Sequence, residues 1–294
     1  MSTNLANKFP HESPILLYNR TTARAESHAA TLDGKAKVAT SIPDAVVPSD
    51  VIFICVGDDE ALAATIDEAL AVPGGASGKL FVDCSTVHPD TTTRIAEQIT
   101  GAGAEFVASP VFGAPAMADS GQLIMVLAGP AASVSKVVPY TVGVMARANI
   151  DFSDQPCAKS TLLKIVGNAL VLNMVEMLSE AHVLAEKSGL GTAQLHQFVS
   201  AMLPGPYAGY STRMTEGDYW RRKEPLFAVD LARKDASHMF HLAESSGCKL
   251  PNVETADRHL KMVKEHMGER GDISSIYGAC RVDGGLKFEN DGKE

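Results

Sequence analysis

A lysine inside an apolar helical segment is the residue of this sequence best suited to chemistry. Lys164 lies within Leu162-Leu163-Lys164-Ile165-Val166, where its amine either reaches out to solvent or is desolvated with a lowered pKa. The second state suits proton transfer near neutral pH, although composition alone favours the first. Asn168 follows one helical turn later on the same face, so its amide can orient the same substrate oxygen.

Two hydroxyl residues follow a buried strand pattern. Ser85 and Thr86 end the segment KLFVDCST (79–86), which reads as a central strand with Asp83-Cys84 before the hydroxyls. Ligands of open α/β sheets bind outside the carboxyl ends of the strands, so both hydroxyls are well placed for a small polar substrate. They can also cap the helix that follows, and one residue can serve both purposes.

An arginine follows the first strand pattern of the chain. Ile15-Leu16-Leu17-Tyr18 reads as a short buried strand, and Asn19, Arg20 and Thr21 come directly after it. In a dinucleotide-binding fold, an acidic residue here accepts the ribose 2′-hydroxyl, whereas an arginine suits a 2′-phosphate. The segment therefore favours NADP, with NAD possible; the alternative is a solvated turn.

The elements that position these residues alternate in the first half of the chain. Apolar strand patterns at 51–57, 79–86, 105–115 and 122–129 are separated by helical patterns such as DDEALAATIDEALAV and PDTTTRIAEQITGAG. This alternation predicts an α/β domain over residues 1–150, with a parallel sheet of Rossmann type covered by helices on both faces.

The second half reads as helices only. A long apolar helix is predicted from about Ser160 to Ser188, connecting the two domains, and no strand pattern recurs after it. We expect an all-α substrate and dimerisation domain over residues 151–268 and a polar, glycine-rich C-terminal tail over residues 269–294.

Composition excludes several classes of function. A net charge of −9 argues against nucleic acid or an anionic membrane as the main partner. The five cysteines form no CxxC pair, and His238 and His241 lack a third ligand pattern, so no metal site is predicted. No apolar run approaches the length of a membrane span. We expect a cytoplasmic protein, or one of the mitochondrial matrix if a targeting peptide precedes the sequence.

Five short motifs in matching order resemble those of the β-hydroxyacid dehydrogenase family, which includes 3-hydroxyisobutyrate dehydrogenase and tartronate semialdehyde reductase and is related to 6-phosphogluconate dehydrogenase. The resemblance covers nearly the whole chain. The matching segments are Asn19-Arg20-Thr21, Asp83-Cys84-Ser85-Thr86, Pro110-Val111-Phe112-Gly113-Ala114, Lys164-Ile165-Val166-Gly167-Asn168 and Lys234-Asp235.

The resemblance implies an oxidoreductase in which Lys164 is the general acid/base for a β-hydroxy acid or its carbonyl compound. Substrate would be bound by Ser85, Gly113 and Asn168. The resemblance also implies a homodimer or homotetramer. The implied cofactor contacts are Asn19, Arg20, Thr21, Val56, Gly57, Thr86 and Lys234.

Several residues depart from the family pattern. Phe112 replaces a serine that contacts substrate and Gly167 replaces an asparagine, so a bulkier or more apolar substrate is favoured. Lys164 is retained, which favours carbonyl chemistry over imine reduction. The family's first strand and glycine-rich turn have no counterpart before the helix predicted at Met1 to Phe9. A cofactor-binding-deficient, non-catalytic homologue or a truncated gene product with an assembly or regulatory role is therefore the alternative.

Overall fold

The computed structural model describes residues 1–73 and 75–291, which fall into two compact units, Met1–Lys164 and Ile165–Glu294. The first unit mixes helices and strands, as predicted. Its helices are α1 (Ser2–Lys8), α2 (Thr22–Ala29), α3 (Ile42–Val46), α4 (Asp59–Leu70), α5 (Pro89–Gly101), α6 (Pro115–Ser120) and α7 (Ala131–Val137). Its strands are β1 (Ile15–Leu17), β2 (Ala36–Val38), β3 (Val51–Ile54), β4 (Leu80–Asp83), β5 (Glu105–Ala108), β6 (Val111–Phe112), β7 (Leu123–Gly129) and β8 (Ala146–Ser153).

The strands of the first unit form two sheets. Strands β1 and β2 pair in parallel as a two-stranded sheet, and the larger sheet has the order β3-β4-β5-β7-β6, with β8 also paired to β7. Strands β3, β4 and β5 are parallel, as predicted, but β7 runs antiparallel to β5 and β6. The expectation of a wholly parallel sheet is therefore correct for the strands next to the predicted site and wrong for the far edge.

Helix α1 packs against both sheets. Its Leu5 packs with the apolar cluster of the larger sheet, whereas Ala6 is buried against Leu32 and Ala36 beside the smaller sheet. Asn4 is also buried, and its side-chain amide donates to the carbonyl oxygen of Ala118 at 2.7 Å. Among the described strands none pairs with both β1 and β3, so the two sheets are separate.

Side-chain caps fix the loops that leave β3 and β4. The carboxylate of Asp58 accepts the backbone N–H of Ala61 at 2.8 Å and so caps α4. Helix α5 begins at Pro89, and the ring of His88 accepts the backbone N–H of Asp90. Each strand end is thus followed at once by a capped helix, which holds the intervening loop residues at the carboxyl edge of the sheet.

Long helix α8 (Ala158–Lys187) begins in the first unit and continues into the second. The first unit extends past the predicted boundary at residue 150 because β8 continues to Ser153. Among the described helices, α8 alone is long and apolar enough to cross a membrane, with a mean hydropathy of 1.5. That is weak evidence, since core helices of soluble proteins pass the same test, and Leu172, Val175 and Leu178 are buried in the second unit's core.

The second unit is helical throughout its described residues. Its further helices are α9 (Thr192–Met202), α10 (Pro206–Thr215), α11 (Asp218–Arg221), α12 (Val229–Ser245), α13 (Pro251–Met267) and α14 (Ile276–Asp283). Each long helix contributes an apolar stripe to one core. On α12 the buried positions are Val229, Ala232, Asp235, Ala236, Met239 and Ala243, a spacing of three to four residues that is typical of one helix face.

The segment after Gly268 is not a separate tail. Ile276 and Tyr277 of α14 are buried, and the Tyr219 hydroxyl donates to the carbonyl oxygen of Phe288 at 2.6 Å. The polar composition of the segment is misleading because several of its polar groups are themselves buried and bonded; Asp272, for example, accepts the backbone N–H of Leu226. Residues 292–294 of the predicted tail lie outside the described residues.

One face of α8 exposes large apolar side chains. Val166, Leu170, Met177 and Leu184 are all between 46% and 69% exposed. An exposed apolar stripe of this kind is typical of a surface that another chain covers. The homodimer or homotetramer inferred from the sequence stays a prediction.

Candidate active site

Ser85 connects the ends of β3 and β4. Its backbone N–H donates to the Asp83 carboxylate at 3.0 Å, and its hydroxyl oxygen accepts the backbone N–H of Val56 at 3.0 Å. The residue is only 1% exposed. Because a hydroxyl can donate as well as accept, the Ser85 O–H can also donate to a further group. Sequence reasoning placed Ser85 at this edge but did not foresee its bond to Val56.

Lys164 is the last residue of the first unit and is half-buried. Its Nζ lies 4.4 Å from the centre of the Phe112 ring, within the range of a cation–π interaction. One turn earlier, the Thr161 hydroxyl accepts a hydrogen bond from Thr92 of α5 at 3.1 Å. The first turns of α8 are thus held against α5, and the lysine amine is held against an aromatic face.

Phe112 and Gly113 lie where the family pattern has polar and small residues. Phe112 pairs with Ile124 of β7, which orients its ring. Gly113 has a φ of +140°, and a Cβ there would lie 2.7 Å from Leu123 Cδ2 and 3.1 Å from Met117 Cβ. Position 113 therefore admits only glycine, and any contact it makes with a ligand comes from its backbone.

Cys55 is a neighbour of the lysine that sequence reasoning missed. Although the residue is exposed, crowding by surrounding protein raises the pKa of its thiol, the Asp83 carboxylate raises it further, and the Lys164 ammonium lowers it. The three groups are therefore close enough to interact electrostatically, and the thiol is protonated at neutral pH. Its position directly after β3, at the same sheet edge as Ser85, could have indicated from the sequence that Cys55 lies near the site.

In the second unit, Asn168 belongs to a buried polar cluster. Its side-chain Nδ2 donates to Asp235 Oδ2 at 2.6 Å, and Lys234 Nζ lies 3.1 Å from Asp235 Oδ1. Asn168 and Asp235 are 6% and 3% exposed. Asp235 was not predicted as a site residue, yet a carboxylate on the apolar stripe of α12 requires a partner. The structure thus shows the buried partner of the amide, whose role is to hold it in one orientation.

The residues after β1 are suited to the adenosine end of a dinucleotide. Asn19, Arg20 and Thr21 are exposed, and the Thr21 backbone N–H donates to Asn19 Oδ1 at 2.9 Å. An exposed guanidinium, with an adjacent hydroxyl, is a donor set that fits a phosphate. Gly57 is also exposed, Val56 is half-buried, and both directly follow β3. Among the described residues no cluster of glycines leads from a strand into a helix.

Two domain profiles match the chain in sequence. The NAD binding domain of 6-phosphogluconate dehydrogenase matches residues 1–150, and the NAD-binding domain of NADP-dependent 3-hydroxyisobutyrate dehydrogenase matches residues 158–280. The chain belongs to the β-hydroxyacid dehydrogenase family. As a member, it is an NAD(P)-dependent oxidoreductase of dehydrogenase type, which confirms the family and enzyme class predicted from the motifs.

Relatives of this β-hydroxyacid dehydrogenase cover nearly its full length. The NADH-dependent oxidoreductase ucdB of Aspergillus ustus is 38% identical over 289 residues, covering 98% of this chain and 97% of the relative. Glyoxylate/succinic semialdehyde reductase 1 of Arabidopsis thaliana is 25% identical, covering 91% of this chain and 90% of the relative. The structure of Mycobacterium tuberculosis 3-hydroxyisobutyrate dehydrogenase with L-serine has a TM-score of 0.78 at 20% identity, covering 95% and 94% of the two chains, and supports the fold.

Proposed function

We propose that this dehydrogenase interconverts a β-hydroxy acid, or a related alcohol, and its carbonyl compound, with Lys164 as the general acid/base. The observation that carries the proposal is the half-buried lysine amine, held 4.4 Å from the centre of the Phe112 ring on the first turns of α8. A bound nicotinamide supplies the hydride acceptor or donor. In oxidation, neutral Lys164 Nζ takes the hydroxyl proton; in reduction, its ammonium returns that proton to the carbonyl oxygen.

The surrounding residues bind and orient the substrate in this proposal. Because Asn168 Nδ2 donates to Asp235, the amide orientation is fixed, and in this proposal Asn168 helps to hold the substrate oxygen whose proton Lys164 takes. The Ser85 hydroxyl and the backbone at Gly113 donate to the substrate carboxylate. Thr86 and Lys234 are the residues that we assign as cofactor contacts.

Phe112 favours a substrate with an apolar group near the reacting carbon. Its ring replaces a hydroxyl and presents a large apolar face beside Lys164. Gly167, between the lysine and Asn168 on α8, removes a second polar side chain. A pocket that lacks polar partners forms no hydrogen bonds with extra substrate hydroxyls. We therefore expect a larger or more apolar compound to react faster than a small polar hydroxy acid.

The test of the mechanism is Lys164→Met, which keeps the length of the side chain and removes the amine. We expect kcat to fall by about 10²–10⁴-fold, the usual contribution of a positioned general acid/base. Lys159→Met, at an exposed position on the same helix, is the matched control and should retain activity. Turnover of the Lys164 variant at the rate of this control would refute the assigned role.

We propose NADP as the preferred cofactor because Arg20 follows β1 with its guanidinium exposed. The A. ustus relative is named NADH-dependent, so the two cofactors must be compared directly. We expect Arg20→Asp to lower kcat/KM for NADPH relative to NADH by at least about 10-fold, or about 1.4 kcal/mol. Arg24→Asp, four residues later on α2 and also exposed, is the charge-matched control. An unchanged cofactor ratio in the Arg20 variant contradicts the assignment.

Fluorescence titration of the purified chain with NADPH tests cofactor binding directly. Saturable binding supports the proposed activity, whereas no binding at millimolar NADPH contradicts it.

A further inference from the structure

Three ionisable side chains meet in the core of the helical unit, apart from every residue assigned above. They are Glu176 of α8, His259 of α13 and Cys280 of α14, and their ligand atoms all lie within 4.8 Å of one another. The His259 and Glu176 side chains are only 4% and 5% exposed, and Cys280 is 5% exposed. A carboxylate, an imidazole and a thiol are the three protein ligands that zinc prefers.

Two of the three distances between the ligand atoms match the edge lengths of a tetrahedral zinc site. Cys280 Sγ lies 3.5 Å from His259 Nδ1 and 3.5 Å from Glu176 Oε1. Zinc bonds of about 2.3 Å to sulfur and about 2.0 Å to nitrogen or oxygen give sulfur edges of about 3.5 Å in a tetrahedron. The third edge, His259 Nδ1 to Glu176 Oε1, is 2.7 Å, a hydrogen bond that an ion would replace. A small rotation of the carboxylate opens this edge to tetrahedral length.

The other ring nitrogen of His259 already has the partner that metal-bound histidines use. His259 Nε2 lies 3.1 Å from Asp283 Oδ2, so a ring bound to metal through Nδ1 would donate its Nε2–H to a carboxylate. Arg258 also approaches Nε2, at 2.8 Å, and pairs with the same Asp283 carboxylate at 2.8 Å. Since a guanidinium only donates, Nε2 accepts from Arg258 Nη2 in this structure. On metal binding, Arg258 would turn Nη2 away and keep Nη1 on Asp283, which leaves the Nε2–H to donate to the same carboxylate.

A second carboxylate oxygen in the cluster lacks a partner. Glu176 Oε2 is fully buried and accepts no hydrogen bond from the described residues. A buried carboxylate oxygen without a donor is costly unless something else neutralises it. A cation held by Oε1 and Oε2 together would satisfy this atom and bring the donor count to four.

We propose that Glu176, His259 and Cys280 form a structural zinc site that joins α8, α13 and α14. The thiolate and carboxylate together carry two negative charges, which balance a divalent cation. Metal binding displaces the proton of Cys280 and the Nδ1 proton that His259 donates to Glu176, and the bound imidazole carries its proton at Nε2. The site is closed to solvent, so its role is to stabilise the helical unit and not to activate water.

The experiment uses the full chain, dialysed against a chelator and then titrated with Co²⁺ as a spectroscopic probe. We expect one equivalent to bind per chain with a near-ultraviolet thiolate-to-cobalt absorption band, and Zn²⁺ to displace it. Zinc at 100 times its dissociation constant should raise the melting temperature by roughly 5–10 °C. Less than one-tenth of an equivalent of bound metal, or no thiolate band, overturns the proposal.

Two variants assign the signal to these residues. Cys280→Ser should abolish the thiolate band, whereas Cys248→Ser, at an exposed cysteine of the same unit, should leave it unchanged. If circular dichroism shows that Cys280→Ser does not fold, Glu176→Gln takes its place and should weaken Co²⁺ binding at least about 10-fold. A band that survives in Cys280→Ser, or unchanged affinity in Glu176→Gln, refutes the site.

Discussion

Replacing Asp235 by asparagine tests whether the buried cluster around Asn168 holds that amide in place. The carboxylate is 3% exposed, accepts the Asn168 amide at 2.6 Å and lies 3.1 Å from Lys234 Nζ. Asparagine conserves the shape of the side chain but removes its charge. The experiment therefore isolates the charge-assisted bond from packing.

The expected magnitude follows from that bond. A hydrogen bond to a charged group contributes about 1.5–3 kcal/mol to stability, and the Lys234 side chain is partly exposed and can regain water. We expect Asp235→Asn to lower the free energy of unfolding by about 2 kcal/mol and the melting temperature by about 4–8 °C. Because Asn168 can then rotate, kcat/KM should also fall, by about 10-fold or 1.4 kcal/mol.

Asp230→Asn is the matched control, on the same helix and also paired with a lysine. Asp230 Oδ2 lies 2.7 Å from Lys264 Nζ, but its side chain is 51% exposed, so the pair contributes little. Differential scanning fluorimetry and steady-state kinetics measure both variants. Equal melting temperatures for the two variants, or an Asp235 variant with unchanged kcat/KM, would refute the role given to Asp235.

Two further predictions concern the stability of the separate units. Gly113→Ala should lower the free energy of unfolding by about 1–3 kcal/mol, since its Cβ would lie 2.7 Å from Leu123 Cδ2. Gly143→Ala, also at positive φ but with open space, should cost less in a urea titration; the reverse order would contradict the steric argument. His182, bonded to Ser211, has its pKa lowered by burial to about 4, so the unfolded state binds the proton first as pH falls. Stability should decrease by roughly 3 kcal/mol between pH 6.5 and 4, and His182→Gln should flatten this part of the profile of melting temperature against pH.

The sequence predicts well those elements whose burial shows in a continuous apolar run. Strands β3, β4 and β7 and the long helix α8 fall at the expected places because each carries a continuous apolar run. Strand β8 was missed, since most of its residues are exposed or half-buried and its sequence ARANIDFS carries no apolar run. The reversed direction of β7 depends on how β6 and the turn before it pack, which no local pattern records.

Among the site residues, too, some are recognisable from a local sequence pattern and others only from the structure. Lys164, Ser85 and Arg20 are recognisable because each stands in a short motif beside a predicted element. Asp235 belongs to the Lys234-Asp235 motif, but its bond to Asn168 is evident only in the structure. The Glu176–His259–Cys280 cluster has no sequence signature, because its members come from three helices and are 83 and 21 positions apart in sequence.

The long-range contacts of α1 have a consequence for how the first unit opens. Helix α1 contacts both the small β1–β2 sheet and the larger sheet, and Asn4 bonds to carbonyl oxygens more than one hundred residues away. Such a segment is expected to exchange its amide hydrogens sooner than the buried strands β4 and β5. Since Arg20 belongs to it, binding of a phosphorylated ribose would slow amide exchange first in β1 and α2, far in sequence from the proton-transfer lysine.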